Sequence, residues 1–400
     1  MACGPLHGIK VIDSSHMLSG PYCCQMLGDL GASVIKVEST GRGDRSREGP
    51  PFSKVGHVSY TFLSRNRNKR SICIDLANEE GRGIMYRLVG QADVLVHNLR
   101  RETMSGFGLS YEDLKVVNPR LIYASISGFG DRGPYKDLPG QDMQVQAMSG
   151  ILSITGYPGL SSTPIGTMVG DAAAGVLTAY GVVAALYARE KMGKGQEVTN
   201  SLLSSLMALQ ASTIGHYLGT GQVPTRQGTG SPSSPPPYGT WKARDGKELA
   251  ISTYRYHHWP RFCEAIGLPH LAEDPRFDSL EKRLQNREEL ADIVQGAMLG
   301  RDRDEWIPLL REYDQWVVPV RDYGDIFSDS DVWENDLVAE MEHPTAGPIK
   351  TFGIPVKLSD MPGTVRRHPP TQGEHTQEVL QELGYSNREI ERLYQQQIVK

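Results

Sequence analysis

An α/β fold with a parallel sheet is predicted by two features of the first 130 residues. Apolar runs of strand length alternate with helical stretches, and alternating strands and helices build parallel sheets. The first three elements also form a compact βαβ unit joined by short Gly/Pro turns.

Residues 8–14 (GIKVIDS) read as a buried strand. Gly20-Pro21 then opens a helix over 22–30, because a first turn tolerates the N–H that Pro lacks. Gly31 ends it, and residues 33–38 (SVIKVE) form the second strand. No G-x-G-x-x-G stands at the strand–helix turn, so the dinucleotide fingerprint is missing. Two basic clusters follow: Arg42, Arg45 and Arg47 in one loop, and Arg65, Arg67, Lys69 and Arg70 in another. Such clusters can grip phosphates, but they are more often solvated faces. Strands are then expected at 71–76, 93–97 and 121–127, with helices at 79–89, 111–117 and 141–149. Gly128-Phe129-Gly130 lies at a strand's carboxyl end, where ligands collect in open sheets.

Asp171 heads a long apolar helix over residues 172–189. Asp is a favoured N-cap, so the ordinary reading is a structural cap on a buried core helix. The sharper reading is a reactive carboxylate on a rigid support. The local sequence leaves both open. The apolar stretch is shorter than the ~20 residues a membrane span needs and includes Thr178, Tyr180 and Gly181. Residues 198–218 read as a strand followed by a helix. The stretch 220–237 (TGQVPTRQGTGSPSSPPP) reads as a linker. A smaller α+β domain follows, with a strand near 247–252 and helices at 259–268 and within 279–312. Strand-like pieces at 317–320 and 353–358 lead to closing helices at 376–383 and 387–394.

The net charge of −5 points away from nucleic acid and anionic membranes as partners. Residues 1–20 do not read as a signal peptide. The five cysteines (Cys3, Cys23, Cys24, Cys73, Cys263) include no C-x-x-C. Neither a disulfide framework nor a zinc site is indicated, and a reducing, cytoplasmic setting fits. Cys23-Cys24 read as small core hydrophobes. His257-His258 has no carboxylate or Cys at ligand spacing, so no metal is expected. His16 is assigned a structural hydrogen bond and Tyr60 a place facing substrate. Asp142 either positions substrate or bonds a loop.

Several runs resemble the class III CoA-transferase family (formyl-CoA and carnitine CoA-transferases, CaiB/BaiF type). They are LSGPYCCQMLGDLGASVIKVE (18–38), NRNKRSICIDL (66–76), ADVLVHNLR (92–100), GLSYEDLKVVNPRLIYASISGFGDRGPY (108–135), QAMSG (146–150), GDAAAG (170–175), GKGQEV (193–198) and GEHT (373–376). The resemblance implies a Rossmann-like large domain built from residues 1–220 and 326–400, with a small α+β domain (221–325) inserted. It also implies an interlocked homodimer.

The same resemblance implies that Asp171 is the catalytic nucleophile. In the family the carboxylate attacks an acyl-CoA thioester, passes through a mixed anhydride to an aspartyl-CoA thioester, and hands CoA to an acceptor acid. The implied substrates are acyl-CoA and small carboxylic acids, and coenzyme A is carrier and substrate. CoA contacts carry over to Leu18, Ser19, Ser39, Ile74, Asp75, Leu76, Ala77, Asn98, Leu99, Arg100, Pro139, Gly140, Gln141 and Asp142. Gly106 stands where relatives often carry a phosphate-binding Arg; Arg100, Arg101 or Arg47 are the local substitutes.

The related 2-methylacyl-CoA racemases pair the Asp with a His in a Gly-His-Asp segment, whereas this chain reads Gly140-Gln141-Asp142. Gln cannot titrate, so a two-base proton exchange loses one base. An inactive CoA-binding paralogue would not need Asp171. The loop Gly228-Thr229-Gly230-Ser231-Pro232 has fewer glycines than the formyl-CoA enzymes. Formyl-CoA and oxalate are therefore not the first choice; the resemblance implies instead succinyl-CoA or a similar donor with a dicarboxylate acceptor, a pairing common among relatives.

Overall fold

A computed structural model describes residues 4–50, 54–55, 57–231, 234–253, 255 and 257–400. Cys3 and Pro232 lie outside the described residues. The chain divides into two compact units. One comprises Met1–Ser149, Gly166–Ala211 and Asp331–Lys400; the other comprises Gly150–Ile165 and Ser212–Ser330.

The first unit is built on six parallel strands: β1 (Lys10–Ser14), β2 (Ser33–Glu38), β5 (Lys69–Cys73), β6 (Val94–His97), β7 (Ile122–Ser127) and β8 (Glu197–Ser201). A short antiparallel ribbon, β3 (Lys54–Val55) with β4 (Val58–Ser59), precedes β5. The sheet order is β5-β2-β1-β6-β7-β8. The chain thus winds outward one way from β1, then returns and winds the other way from β6. This is the doubly wound order whose reversal point opens a crevice beyond the strand carboxyl ends.

Successive strand residues point to opposite faces, and the two cores follow. Ile12, Val37, Ile72 and Leu95 pack on one face with Ile84 and Leu88 of the helix Glu79–Gly90 and with the C-terminal residues Val379, Leu380, Ile390 and Leu393. Their neighbours Val11, Val34, Val94 and Val96 pack on the other face with Cys23, Cys24, Val182 and Leu186. The closing helices Thr376–Glu382 and Asn387–Gln395 are therefore part of the first unit's core. A backbone bridge from Ile74 to Val399 fixes the chain end beside β5.

The helices of the first unit include α1 (Ser19–Asp29), α2 (Tyr60–Leu63), α3 (Glu79–Gly90), α4 (Arg101–Gly106), α5 (Tyr111–Val117), α6 (Asp142–Met148), α8 (Val169–Met192) and α9 (Leu202–Leu209), whereas α7 (Ile151–Ile154) belongs to the second. In the second unit, β9 (Gly239–Lys242), β10 (Glu248–Ile251) and β11 (Val317–Pro319) form an antiparallel sheet in the order β11-β10-β9. It packs with Phe262, Leu290, Val294, Trp306 and Leu310 from three helices.

Three elements depart from the sequence reading. Residues 353–358 form no strand. The pairing there is a hairpin of β12 (Val338–His343) and β13 (Gly347–Phe352). Pro355 cannot donate to a ladder, whereas His343 Nδ1 closes the hairpin turn by accepting the N–H groups of Thr345 and Ala346 at 3.2 and 3.1 Å. β5 begins at Lys69, inside the basic cluster, because the Lys69 ammonium is buried on Asp13 at 2.8 Å. Finally, α8 runs 24 residues, long and apolar enough to cross a membrane, and is only partly buried. Val176, Tyr180, Val183 and Tyr187 leave an exposed apolar stripe along it, Tyr180 being 72% and Tyr187 66% accessible. The expectation of an all-round core helix is corrected accordingly.

Candidate active site

All six parallel strands end on the same edge of the sheet, so their carboxyl-end loops converge. The β1 and β6 loops meet at the reversal point. There Asn98 Oδ1 accepts the His16 N–H at 2.8 Å, and Asn98 Nδ2 donates to the His16 carbonyl at 2.7 Å. His16 is held by this backbone clasp rather than through its ring. Its Nδ1 is buried without a hydrogen-bond partner among the described residues, and burial holds the imidazole pKa down. Met17 takes a left-handed backbone (φ 68°), and α1 starts at Ser19. Pro21 sits in its first turn, so α1 opens three residues earlier than the sequence indicated.

Asp171 is not the N-cap of α8. The helix begins at Val169, its cap residue Met168 offers no side-chain bond, and Asp171 is the third residue. Asp142, the first residue of α6, does the capping. Its Oδ1 accepts the N–H of Gly170 at 2.7 Å and of Asp171 at 3.1 Å, and its Oδ2 accepts Gln146 Nε2 at 2.6 Å. Asp142 thus bonds the start of the helix that carries Asp171. The N–H groups of Gly170 and Asp171 are then already engaged, while the Asp171 carboxylate is not used as a cap.

That carboxylate faces α1 instead. Ser19 hydrogen-bonds it through both its backbone N–H and its hydroxyl. The two helices approach closely because Gly175 has no side chain. A Cβ there would lie 2.8 Å from the Ser19 carbonyl oxygen. A Cβ on Gly170 would meet Asp142 Oδ1 at 3.0 Å. The two glycines of GDAAAG thus admit α1 on one side and the capping carboxylate on the other. Burial raises the Asp171 pKa most, and the Asp142 charge adds to it. The Ser19 bonds and the Arg65 charge pull it back down. A half-buried carboxylate with its negative charge held at a helix N-terminus is a usable nucleophile.

The residues assigned to CoA lie along this edge. Leu18 and Ser19 are buried at the β1–α1 junction, and Ser39 is exposed after β2, its Oγ accepting the Gly43 N–H. Ile74, Asp75, Leu76 and Ala77 follow β5. Asp75 Oδ1 accepts the Ala77 N–H, and Arg82 Nη1 donates to the carbonyls of Leu76 and Ala77. Asn98, Leu99 and Arg100 follow β6, and Arg100 is exposed. Pro139, Gly140 and Gln141 lie between β7 and α6, and Asp142 opens α6. There Gly140 packs directly on Gly128 of the GFG loop: a Cβ on either would fall within 2.4 Å of the other's Cα. Tyr60 opens α2, half-buried. Gly106 has open space around it.

The basic clusters are mostly structural. Arg47 forms a bidentate pair with Glu38 at 2.6 and 2.7 Å and is not free for a phosphate. Arg67 is buried against Asp29, and Arg70 pairs with Glu378 and Glu382. Lys36 lies between Asp44 (2.8 Å) and Asp13 (3.6 Å). Arg101 pairs with Asp131 at 3.0 Å, which leaves Arg100 as the substitute without an ion pair among the described residues. Arg65, unremarked within its cluster, donates from Nη1 to the Met17 carbonyl at 3.4 Å beside the start of α1, and its charge favours the ionised form of Asp171. Only its contrast with paired neighbours singles it out, and that contrast needs the tertiary contacts.

The structure also brings Asp314 to His257 and His258, each Nε2 being 3.4 Å away, which sequence spacing had not shown. His258 Nδ1 accepts the Arg255 N–H at 3.3 Å, so the neutral ring carries its proton on Nε2, facing Asp314. Arg261 joins the same carboxylate at 3.5 Å. The three groups present ligand atoms within 4.8 Å of one another, so the premise that His257-His258 lacks a nearby carboxylate is corrected.

The profile of CoA-transferase family III matches residues 6–376. A succinyl-CoA:glutarate CoA-transferase of Mus musculus is 35% identical over 391 residues, spanning 97% of this chain and 89% of its own. A succinyl-CoA:mesaconate CoA-transferase of Haloarcula hispanica is 36% identical over 390 residues, spanning 95% of this chain and 97% of its own. The crystal structure of a CAIB/BAIF family protein from Brucella suis superposes with a TM-score of 0.84 at 33% identity, covering 95% of this chain and 100% of that one. Both the sequence along nearly its whole length and the fold therefore place the chain in CoA-transferase family III, the CaiB/BaiF type, and the protein is a CoA-transferase.

Proposed function

We propose that the protein transfers CoA from an acyl-CoA to a free carboxylic acid through an aspartyl-CoA thioester on Asp171, with a dicarboxylate such as succinate as one partner. The observation that carries this reading is the state of Asp171. Its carboxylate is relieved of capping by Asp142 and held by Ser19 at the sheet edge where the loops converge.

The steps balance without any net proton. The Asp171 carboxylate attacks the thioester carbonyl, the C–S bond breaks, and CoA leaves as thiolate, giving a mixed anhydride. The thiolate attacks the aspartyl carbonyl and expels the first acid as its carboxylate. The acceptor carboxylate attacks the aspartyl thioester and again releases thiolate. That thiolate attacks the acceptor carbonyl, forming the new acyl-CoA and restoring Asp171. A carboxylate suits the exchange because it links acids of similar energy. The Ser19 N–H and hydroxyl are the donors available to the oxyanion.

The relatives named for succinyl-CoA with glutarate or mesaconate support a dicarboxylate. Gln141, which cannot titrate, weighs against two-base racemisation. CoA is proposed to lie along Leu18, Ser19, Ser39, Ile74–Ala77, Asn98–Arg100 and Pro139–Asp142. The apolar stripe on α8 supports a homodimer, and the four described cysteines, all unpaired thiols, fit a reducing cytoplasm.

The test is mass spectrometry of the protein incubated with succinyl-CoA. A CoA adduct on Asp171, cleaved by hydroxylamine and missing from Asp171→Ala, is expected. Isotope exchange at the α-carbon of a 2-methylacyl-CoA without any adduct would overturn the reading.

A further inference from the structure

The cluster 65–70 holds four cations, and three of them are spoken for. Arg67 grips Asp29 with two bonds, at 3.0 and 2.7 Å. Lys69 lies 2.8 Å from Asp13. Arg70 meets Glu378 and Glu382 at 2.7 and 2.6 Å. Arg65 is different. It forms no ion pair among the described residues, and its guanidinium makes one long hydrogen bond, Nη1 to the Met17 carbonyl at 3.4 Å.

It is nevertheless half-buried, in the loop layer next to the start of α1. The charges acting on it are those of Asp171 and Asp44. Asp44 is already committed: Lys36 lies 2.8 Å away, and Met17 N–H and Ser46 bond it as well. Asp171 is the remaining negative group, and it is held by Ser19 rather than by Arg65. A planar fork of N–H donors, partly desolvated and without a carboxylate of its own, therefore stands beside the start of α1, the element that packs on the Asp171 helix at Gly175. Desolvating a guanidinium without a partner is costly, and the partner that matches its geometry is a carboxylate bound through two parallel bonds.

We propose that Arg65 binds the second, non-reacting carboxylate of a dicarboxylate substrate while the first reacts at Asp171, so that it sets the preference for diacids. The proposal rests on the transferase reading above and adds to it the residue that selects the substrate class. It applies to both halves of the exchange, since a succinyl donor and a dicarboxylate acceptor each present one spare carboxylate when the other end is at Asp171.

The experiment measures single-turnover formation of the aspartyl-CoA adduct with succinyl-CoA and with butyryl-CoA, which differ in the distal carboxylate. Wild-type protein, Arg65→Leu and Arg65→Lys are compared. The expected result is a fall of about 100-fold in the succinyl-over-butyryl preference for Arg65→Leu, the usual size of a lost charge-assisted hydrogen bond. Arg65→Lys is expected in between, because it keeps the charge and loses the fork. Equal losses with both donors, accompanied by a raised KM for CoA itself, would assign Arg65 to the CoA phosphates and overturn the proposal. An unchanged preference would overturn it as well. Adduct on the variants with butyryl-CoA shows that they are folded. Failure of wild-type protein to form any adduct would instead refute the transferase mechanism, so the two failures are distinguishable.

Discussion

Asp142 carries two separable duties, and replacing it reads out both. It accepts the N–H groups of Gly170 and Asp171 at 2.7 and 3.1 Å, at the start of a helix whose own cap residue contributes nothing. Loss of a good N-cap costs about 0.5–2 kcal/mol. Here the acceptor is charged and bonds two donors, which places Asp142→Ala near the upper end, at about 2 kcal/mol. In a chain of 400 residues, with an unfolding entropy of about 2.1 cal/mol/K per residue, that corresponds to a fall in Tm of roughly 2–3 °C. Asp142→Asn retains a carbonyl oxygen for the two N–H groups, and Gln146 can turn its amide over to meet the new Nδ2. Its stability loss is then under about 1 kcal/mol.

The second duty is electrostatic. After burial, the Asp142 charge is the next largest influence raising the Asp171 pKa. In the proposed mechanism Asp171 must be ionised to attack, so adduct formation is expected to fall as the pH drops through its pKa. Removing the neighbouring charge lowers that pKa, and the acid limb of the rate profile in Asp142→Asn moves to lower pH than in wild type. The assays are thermal denaturation of the three proteins and single-turnover adduct formation with succinyl-CoA as a function of pH. An acid limb in Asp142→Asn that stays put or moves up, or an Asp142→Ala protein as stable as wild type, would refute the assignment.

Two further predictions follow from the packing. Lys69→Met strips Asp13 of its nearest counter-ion while both remain fully buried, and removing one partner of such a pair costs about 3–5 kcal/mol. The carboxyls of Asp13, Asp44 and Glu38 are strongly opposed by burial, yet Lys36, Lys69 and Arg47 hold them below their usual range. Their stabilisation is complete above pH ~4 and drains away as the pH falls through the folded-state values. Urea midpoints at neutral pH and at progressively lower pH should show both the loss in Lys69→Met and the acid sensitivity, and equal midpoints would remove the network's role. Tyr180→Glu places a charge on the exposed stripe of α8. It should convert the proposed dimer to monomer by light scattering while leaving the monomer folded by circular dichroism, and an unchanged mass would clear the stripe of that role.

Local sequence determined a good deal. The strand runs, the Gly/Pro turns and the alternation of element types were enough for a parallel α/β sheet, because each is a short-range consequence of side-chain shape and burial. The ordered motifs were enough for the family and for attention to Asp171. Tertiary structure decided the rest. Asp142 is 29 residues from Asp171, and nothing in GDAAAG says that another helix supplies its cap. Lys69 reads as a surface charge until β5 brings it to Asp13, 56 residues away. The α8 stripe reads as core until its neighbours cover only one side. Asp171 itself shows the division most clearly. Residue type and neighbours marked it as an acid at a helix start, but whether that acid was spent on its own helix or free to react depended on α6 and α1. Capping and counter-charge are contacts between chain segments far apart in sequence, and only the packed fold brings them within hydrogen-bonding distance.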